Sequence, residues 1–305
     1  MTVQSRQQRS AGQRLICWLG GTLLLLALLV VLLVINNNYS LRRPPRAEFD
    51  AQLDRALDGA INWIKDNPVV SERNATMMYM IAQMQQMSQD PRLQVLLDDY
   101  QKEHLTHPAA LFDLVWLRIM SPTAAVPMIR VPDMQDNVID FVWQAYALAP
   151  DRILLSDEDR ANMFSPTKYY WGTRQKQLLA LDMYRDYNGS SPDLDATINH
   201  LADRVARDEY YDFRFTDSYV QRIAFVLAAR RPDLIRQRWI ERLLEFQNPN
   251  GSWYGCWYGW CRGVFEFNPG YKMDMGGLGH STVQAAWALT MLKYRYPQWI
   301  AEHYH

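Results

Sequence analysis

Downstream of residue 47, no stretch of this chain alternates apolar and polar residues for more than a few positions, so a β-sheet has little to build on. Apolar residues recur instead at helical spacing. The helical stretches are cut by Pro68, Pro91, Pro108, Pro122, Pro150, Asn188-Gly189, Pro192, Pro232 and Pro249. This punctuation predicts helices over roughly 48–66, 71–87, 91–104, 108–120, 134–148, 156–164, 172–187, 194–208, 216–230, 232–247 and 280–295. Two kinds alternate. Asp193–Asp208 and Pro232–Phe246 are charged on one face and read as outer helices. Ala109–Met120, Val138–Leu148 and Thr282–Leu292 are more apolar all round and read as inner helices. Sorted this way, there are about six inner and five outer candidates.

An internal match supports pairing. Asp217-Ser218-Tyr219-Val220-Gln221 aligns with His280-Ser281-Thr282-Val283-Gln284, with Ser, Val and Gln matching from 217 to 280 at one fixed offset. Stacked helix pairs leave such a mark, because each unit buries its apolar face against the next. A closed ring of about six pairs and an open superhelical array both fit.

Leu15 to Ile35 contains no charged residue. At about 1.5 Å per residue it reaches roughly 30 Å, the thickness of a bilayer core. No A-x-A cleavage pattern follows it, so it reads as an uncleaved anchor. Arg6, Arg9 and Arg14 before the run balance Arg42, Arg43 and Arg46 after it, so positive charge does not choose the orientation. The short tail and the large remainder set the expectation: residues 1–14 a cytoplasmic tail, 15–35 a transmembrane anchor, 36–47 a polar Pro-containing linker and 48–305 one extracytoplasmic domain, periplasmic if the cell is bacterial. A net charge of -1 and the lack of a Lys/Arg run argue against a nucleic-acid partner. Oligomeric state is left open. The three cysteines are Cys17 in the span and Cys256 and Cys261 in one loop, where a disulfide and two free thiols are both compatible with the spacing.

Gln247-Asn248-Pro249-Asn250-Gly251-Ser252-Trp253, continuing into Tyr254-Gly255-Cys256-Trp257, resembles the Gln-Trp repeat of squalene–hopene and other triterpene cyclases. Gly276-Gly277-Leu278-Gly279-His280-Ser281-Thr282 with Ala286-Trp287-Ala288-Leu289 is similar to the last inner helix of those cyclases and of protein prenyltransferase β-subunits. The resemblance covers about 75 residues near the C-terminus, upstream of which only helical rhythm supports it. It implies an α6/α6 toroid, so the expected fold is all-α: the N-terminal transmembrane helix read above, followed by a toroid of about six helix pairs. The prenyltransferases hold zinc with an Asp-x-Cys pair and a His on successive inner helices. Asp217 and His280 fall at matching places, but Tyr219 replaces the Cys, which leaves two of the three protein ligands a catalytic zinc takes. No zinc or other cofactor is therefore expected. The cyclases' Asp-x-Asp-Asp acid motif is also missing; Asp193-Leu194-Asp195-Ala196 lacks its last Asp and reads as carboxylates opening an outer helix.

His280 opens an apolar helix after a Gly-rich stretch, where an imidazole could serve as a general base, and Asp217 one repeat earlier could orient it. Glu266, Tyr271 and Asp274 complete the candidate catalytic set; Trp257, Trp260, Tyr219, Arg262 and Lys272 are the candidate substrate-binding residues, aromatic walls and cations beside the same mouth. His303 and His305 read as a frayed tail. No phosphate-binding Gly loop, G-x-S-x-G or H-E-x-x-H motif is present. Three functions remain open: a membrane-tethered toroid enzyme acting on a lipid-linked or isoprenoid substrate, a carbohydrate-active toroid (lyase, hydrolase or epimerase) acting on envelope polysaccharide, and a non-catalytic binding or scaffold protein. A hydrophobic or glycan ligand would occupy the central cavity in the first two.

Overall fold

A computed structural model describes residues 11–42, 44–67, 75–106, 111–121, 123–130, 139–169, 171–253 and 278–305. Within them the chain is all-helical apart from one pair of two-residue strands. The elements are α1 (Ala11–Asn38), α2 (Arg46–Asp66), α3 (Ala75–Ser88), α4 (Pro91–Thr106), α5 (Leu111–Met120), β1 (Ile129–Arg130), α6 (Ile139–Leu148), β2 (Ile153–Leu154), α7 (Asp157–Met163), α8 (Trp171–Asn188), α9 (Pro192–Tyr211), α10 (Asp217–Ala228), α11 (Gln237–Glu245), α12 (Leu278–Tyr294) and α13 (Pro297–His303). The parallel pair β1–β2 is too short to leave an alternating pattern in the sequence.

The more apolar helices are those with burial all round. Every residue of α10 except Ser218 is buried, as is α12 from Ser281 to Leu292. The charged α9 buries only Leu194, Ile198, Leu201, Ala202, Val205, Ala206 and Glu209, one face at helical spacing. Its first turn carries Asp193 and Asp195 behind an N-cap at Ser191, so those carboxylates open a helix that is buried on one face. The buried helices touch in sequence: α3 packs on α5, α5 on α6, α6 on α8, α8 on α10, α10 on α12, and α12 on α3. Between them Trp287 meets Tyr79 edge-on at 6.0 Å and Phe225 at 6.3 Å, all three within the core.

The Gln-Trp turn ties three helices together. Trp253 Nε1 donates to the Leu243 carbonyl of α11 at 2.6 Å, and its backbone N–H donates to Thr282 Oγ1 of α12 at 2.9 Å. Gln247 Nε2 donates to the Gly251 and Ala56 carbonyls at 3.0 and 2.8 Å, reaching α2. Gly251 sits at φ +89°, and a Cβ there would lie 2.1 Å from the Gly59 carbonyl oxygen.

Three expectations change. The helix expected over 232–247 is a short 3₁₀ turn, Pro232–Leu234, then α11; Ile235 and Arg236 are extended between them and break the run. The C-terminus is no frayed tail. Pro297 opens α13, Tyr304 is buried and stacks on Phe49 at 3.8 Å, and the Arg46 N–H donates to the His305 carbonyl at 3.0 Å. The polar spacer does not begin at Asn36. The helix long and apolar enough to cross a membrane runs from Ile16 to Asn38, and its last turn is docked into the domain. Asn37 Nδ2 donates to the Glu209 carbonyl at 3.0 Å, and Asn38 Nδ2 to the Tyr210 carbonyl at 2.7 Å. The polarity of Asn37 and Asn38, which suggests a linker, serves buried hydrogen bonds.

Candidate functional site

Asp217 is the first residue of α10, and the Thr216 hydroxyl caps that helix by accepting the Tyr219 N–H at 3.3 Å. His280 lies in the first turn of α12, and α10 packs on α12. The offset seen in the sequence becomes a contact: His280 Nδ1 is 2.8 Å from Asp217 Oδ1. The same oxygen accepts from Ser281 Oγ at 2.9 Å, and Oδ2 accepts from Gln221 Nε2 at 2.7 Å. With Nδ1–H facing the carboxylate, the imidazole is held in one ring orientation and Nε2 is the basic nitrogen. Asp217 is almost fully covered, while the His280 side chain is 16% exposed.

A chain of amides extends the pair across three helices. Gln175 of α8 donates to Gln221 Oε1 of α10, and Gln221 donates to Asp217. On α12, Gln284 Nε2 lies 3.0 Å from His280 Nε2. Gln175 Oε1 and Gln284 Oε1 are buried and accept no hydrogen bond among the described residues. Two such buried acceptors are costly, on the order of 1–3 kcal/mol each, unless a donor reaches them. A fourth buried amide, Gln144 of α6, accepts from Thr76 of α3 at 2.6 Å. Sequence reasoning used the glutamines as a repeat signal and passed over their chemistry; the signal was that Gln221 and Gln284 each follow Asp217 and His280 by one helical turn.

Tyr219, a candidate substrate-binding residue, lies in the core. It is wholly buried, with the Arg242 guanidinium 4.8 Å from its ring centroid and Phe215 at 5.1 Å. Two positions past Asp217 is a turn of about 200° along the helix, and there the ring packs beneath Arg242 of α11. Burial pushes its phenol well above the ordinary tyrosine range. Among the described residues no group of three His, Cys, Asp or Glu side chains gathers to hold a metal. Glu266, Tyr271, Asp274, Trp257, Trp260, Arg262 and Lys272 lie outside the described residues, as do Cys256 and Cys261.

A second charged group is built on Arg222 of the same helix. Arg222 Nη1 bonds Glu209 Oε2 at 3.2 Å and Asp212 Oδ2 at 3.0 Å. Burial drives the Glu209 carboxyl well above its usual range; Arg222 opposes this and Asp212 adds to it. Asp212 is held low: burial works against it, but hydrogen bonds and charge from Arg214 and Arg222 prevail. A cavity of about 390 Å³ opens beside this cluster, lined by Arg207, Tyr211, Asp212, Phe213, Arg214 and Arg222 among others. Another of about 650 Å³ lies between α7, α8 and α9, lined by Arg160, Phe164, Tyr184 and Asp193. Neither includes Asp217 or His280.

Comparison with protein-family models, curated proteins and solved structures finds no match to this chain.

Proposed function

We propose that this chain is a single-span membrane protein whose extracytoplasmic domain is an α/α toroid, and that it is an enzyme using His280 as a general acid–base on the polar head of a lipid-linked substrate. The observation that carries the reading is the 2.8 Å pair between His280 Nδ1 and Asp217 Oδ1, built from the first turns of two neighbouring buried helices. In such a dyad the carboxylate orients the ring and stabilises the imidazolium formed when Nε2 takes a proton. Gln284, whose amide meets Nε2 while its own oxygen has no donor among the described residues, is a group a substrate would displace.

The order of helix contacts, returning from α12 to α3, is what a six-membered inner ring needs, and it supports the toroid. The apolar helix Ile16–Asn38 supports the anchor. A polar head is favoured over a buried isoprenoid chain because amides, a hydroxyl and a carboxylate surround the dyad, whereas Tyr79, Phe225 and Trp287 fill the core formed by the same helices. That filled core also favours a second reading, a binding or scaffold protein without chemistry.

Membranes containing the wild type, His280→Ala or Asp217→Asn separate the two. Total lipid extracts compared by mass spectrometry should show a species consumed by the wild type that persists in both variants, its turnover reduced by about 100-fold or more. Identical lipid profiles from three folded proteins would leave the scaffold reading.

A further inference from the structure

We infer that the face around Tyr39, Tyr210, Tyr211 and Arg207 is a docking surface for anionic phospholipid headgroups of the membrane that carries the anchor, with the 390 Å³ cavity beside Tyr211 receiving a headgroup phosphate. The inference rests on the anchor reading above and adds the lipid and the residues that meet it.

The domain is not hung from α1 on a free tether. Asn37 and Asn38, within three residues of the last apolar side chain Ile35, are bonded to the Glu209 and Tyr210 carbonyls at the end of α9. Trp239 Nε1 donates to Asn38 Oδ1 at 3.1 Å, Arg242 donates to Asn37 Oδ1, and Arg238 Nε donates to the Asn36 carbonyl at 3.2 Å. Three residues of helix rise about 4.5 Å, so whatever surrounds Tyr210 lies at the headgroup level when the span is in a bilayer.

That surroundings has the chemistry of an interface. Arg236 stacks between the Tyr39 ring at 5.6 Å and the Tyr210 ring at 4.7 Å, and Tyr210 meets Tyr211 edge-on at 5.0 Å. Tyr39, Leu41 and Tyr211 are 52%, 97% and 60% exposed. Exposed tyrosines at the end of an apolar span form the aromatic belt of membrane proteins, and arginines beside them bind anionic lipid. The charges in the cavity are unevenly committed. Arg214 is paired with Asp212, Arg222 with Asp212 and Glu209, and Asp208 with Arg174. Arg207 has no ion pair among the described residues and stands at the wall of the cavity, so its guanidinium is the one available for a bidentate bond to phosphate. Residues 212–216 join the wall of this cavity to Asp217 at the start of α10.

The test uses the full chain. Alkaline carbonate extraction of membranes examines the anchor, and native mass spectrometry from non-ionic detergent, titrated with phosphatidylglycerol or phosphatidylcholine, examines the face. The wild type should stay in the membrane and retain phosphatidylglycerol in preference to phosphatidylcholine. Arg207→Ala with Tyr211→Ser, both at exposed positions, should lower that retention about tenfold while the lipid-free melting temperature is unchanged. Equal retention by the double variant, equal retention of phosphatidylcholine, or removal of the lipid by millimolar inorganic phosphate overturns the inference and leaves the anchor standing. Release of the chain by carbonate overturns the anchor, and the inference with it.

Discussion

The indole of Trp239 donates to Oδ1 of Asn38 at 3.1 Å, joining two residues 201 positions apart in a buried contact between the end of the apolar helix and α11. The same asparagine donates to the Tyr210 carbonyl, and its neighbour Asn37 accepts from the guanidinium of Arg242. Arg242 in turn donates to the Phe213 carbonyl at 3.0 Å and covers the Tyr219 ring. The last turn of α1 is thus a structural part of the domain, separated from the helix that bears Asp217 by one arginine.

Asn38→Ala should therefore destabilise the domain and not merely loosen it from the apolar helix. The change leaves the Trp239 N–H and the Tyr210 carbonyl buried without this partner, at about 1–3 kcal/mol. For a domain of this size each kcal/mol lowers the melting temperature by about 2–4 °C, so thermal unfolding in detergent should show a loss of several degrees. An unchanged transition would mean that the contact is not kept in solution.

Gly251→Ala should be more damaging than any neighbouring change in the Gln-Trp turn. The positive φ strains any residue with a Cβ, and that Cβ would collide with the backbone of Gly59 rather than with a side chain that can move aside. The cost should reach about 2 kcal/mol or more, read as a lowered denaturation midpoint. A neutral effect would show that α2 and the turn are not in contact at that point.

Asp182 predicts a pH dependence. Burial, with Asp186 adding like charge and Arg185 opposing, moves its carboxyl up to about 7. A raised acid binds its proton more tightly in the folded state than in the unfolded one. Stability should therefore fall as pH rises from about 4 to 7, by an amount on the order of a few kcal/mol, and level off above that. Asp182→Asn should flatten the slope across this window in denaturant titrations; an equally steep slope in the variant would assign the titration to another group.

The helices and the pairing of 217 with 280 were legible because each rests on a local or repeated pattern. Burial on all sides of α10 and α12 follows from Val220–Ala228 and Val283–Leu292 being nearly free of charge, and the matching Ser, Val and Gln place Asp217 and His280 on equivalent turns. The docked end of α1 was not legible. Asn36-Asn37-Asn38 followed by Pro44-Pro45 has the composition of a spacer, and only the positions of Glu209, Trp239 and Arg242, some 170 to 205 residues later, turn those amides inward. The same non-local cause hid α13, whose Tyr304 gains its burial from Phe49. The burial of Tyr219 was not legible either, because it depends on Phe215 and on Arg242 of α11 closing over its ring.

Asp217 and His280 should differ in what their loss does to stability. Asp217 accepts from Ser281, Gln221 and His280, so Asp217→Ala leaves three donors without their acceptor next to a hole, and about 2–4 kcal/mol should be lost. His280→Ala leaves the carboxylate with Ser281 and Gln221 still bonded and a partly exposed space that water can enter, so the loss should be smaller, about 1 kcal/mol. A residue kept for packing would show the opposite order. Chemical denaturation of the two variants in the same detergent measures the difference directly. If His280→Ala proves the more destabilising, the imidazole is a strut between α10 and α12, and the acid–base role assigned to it fails.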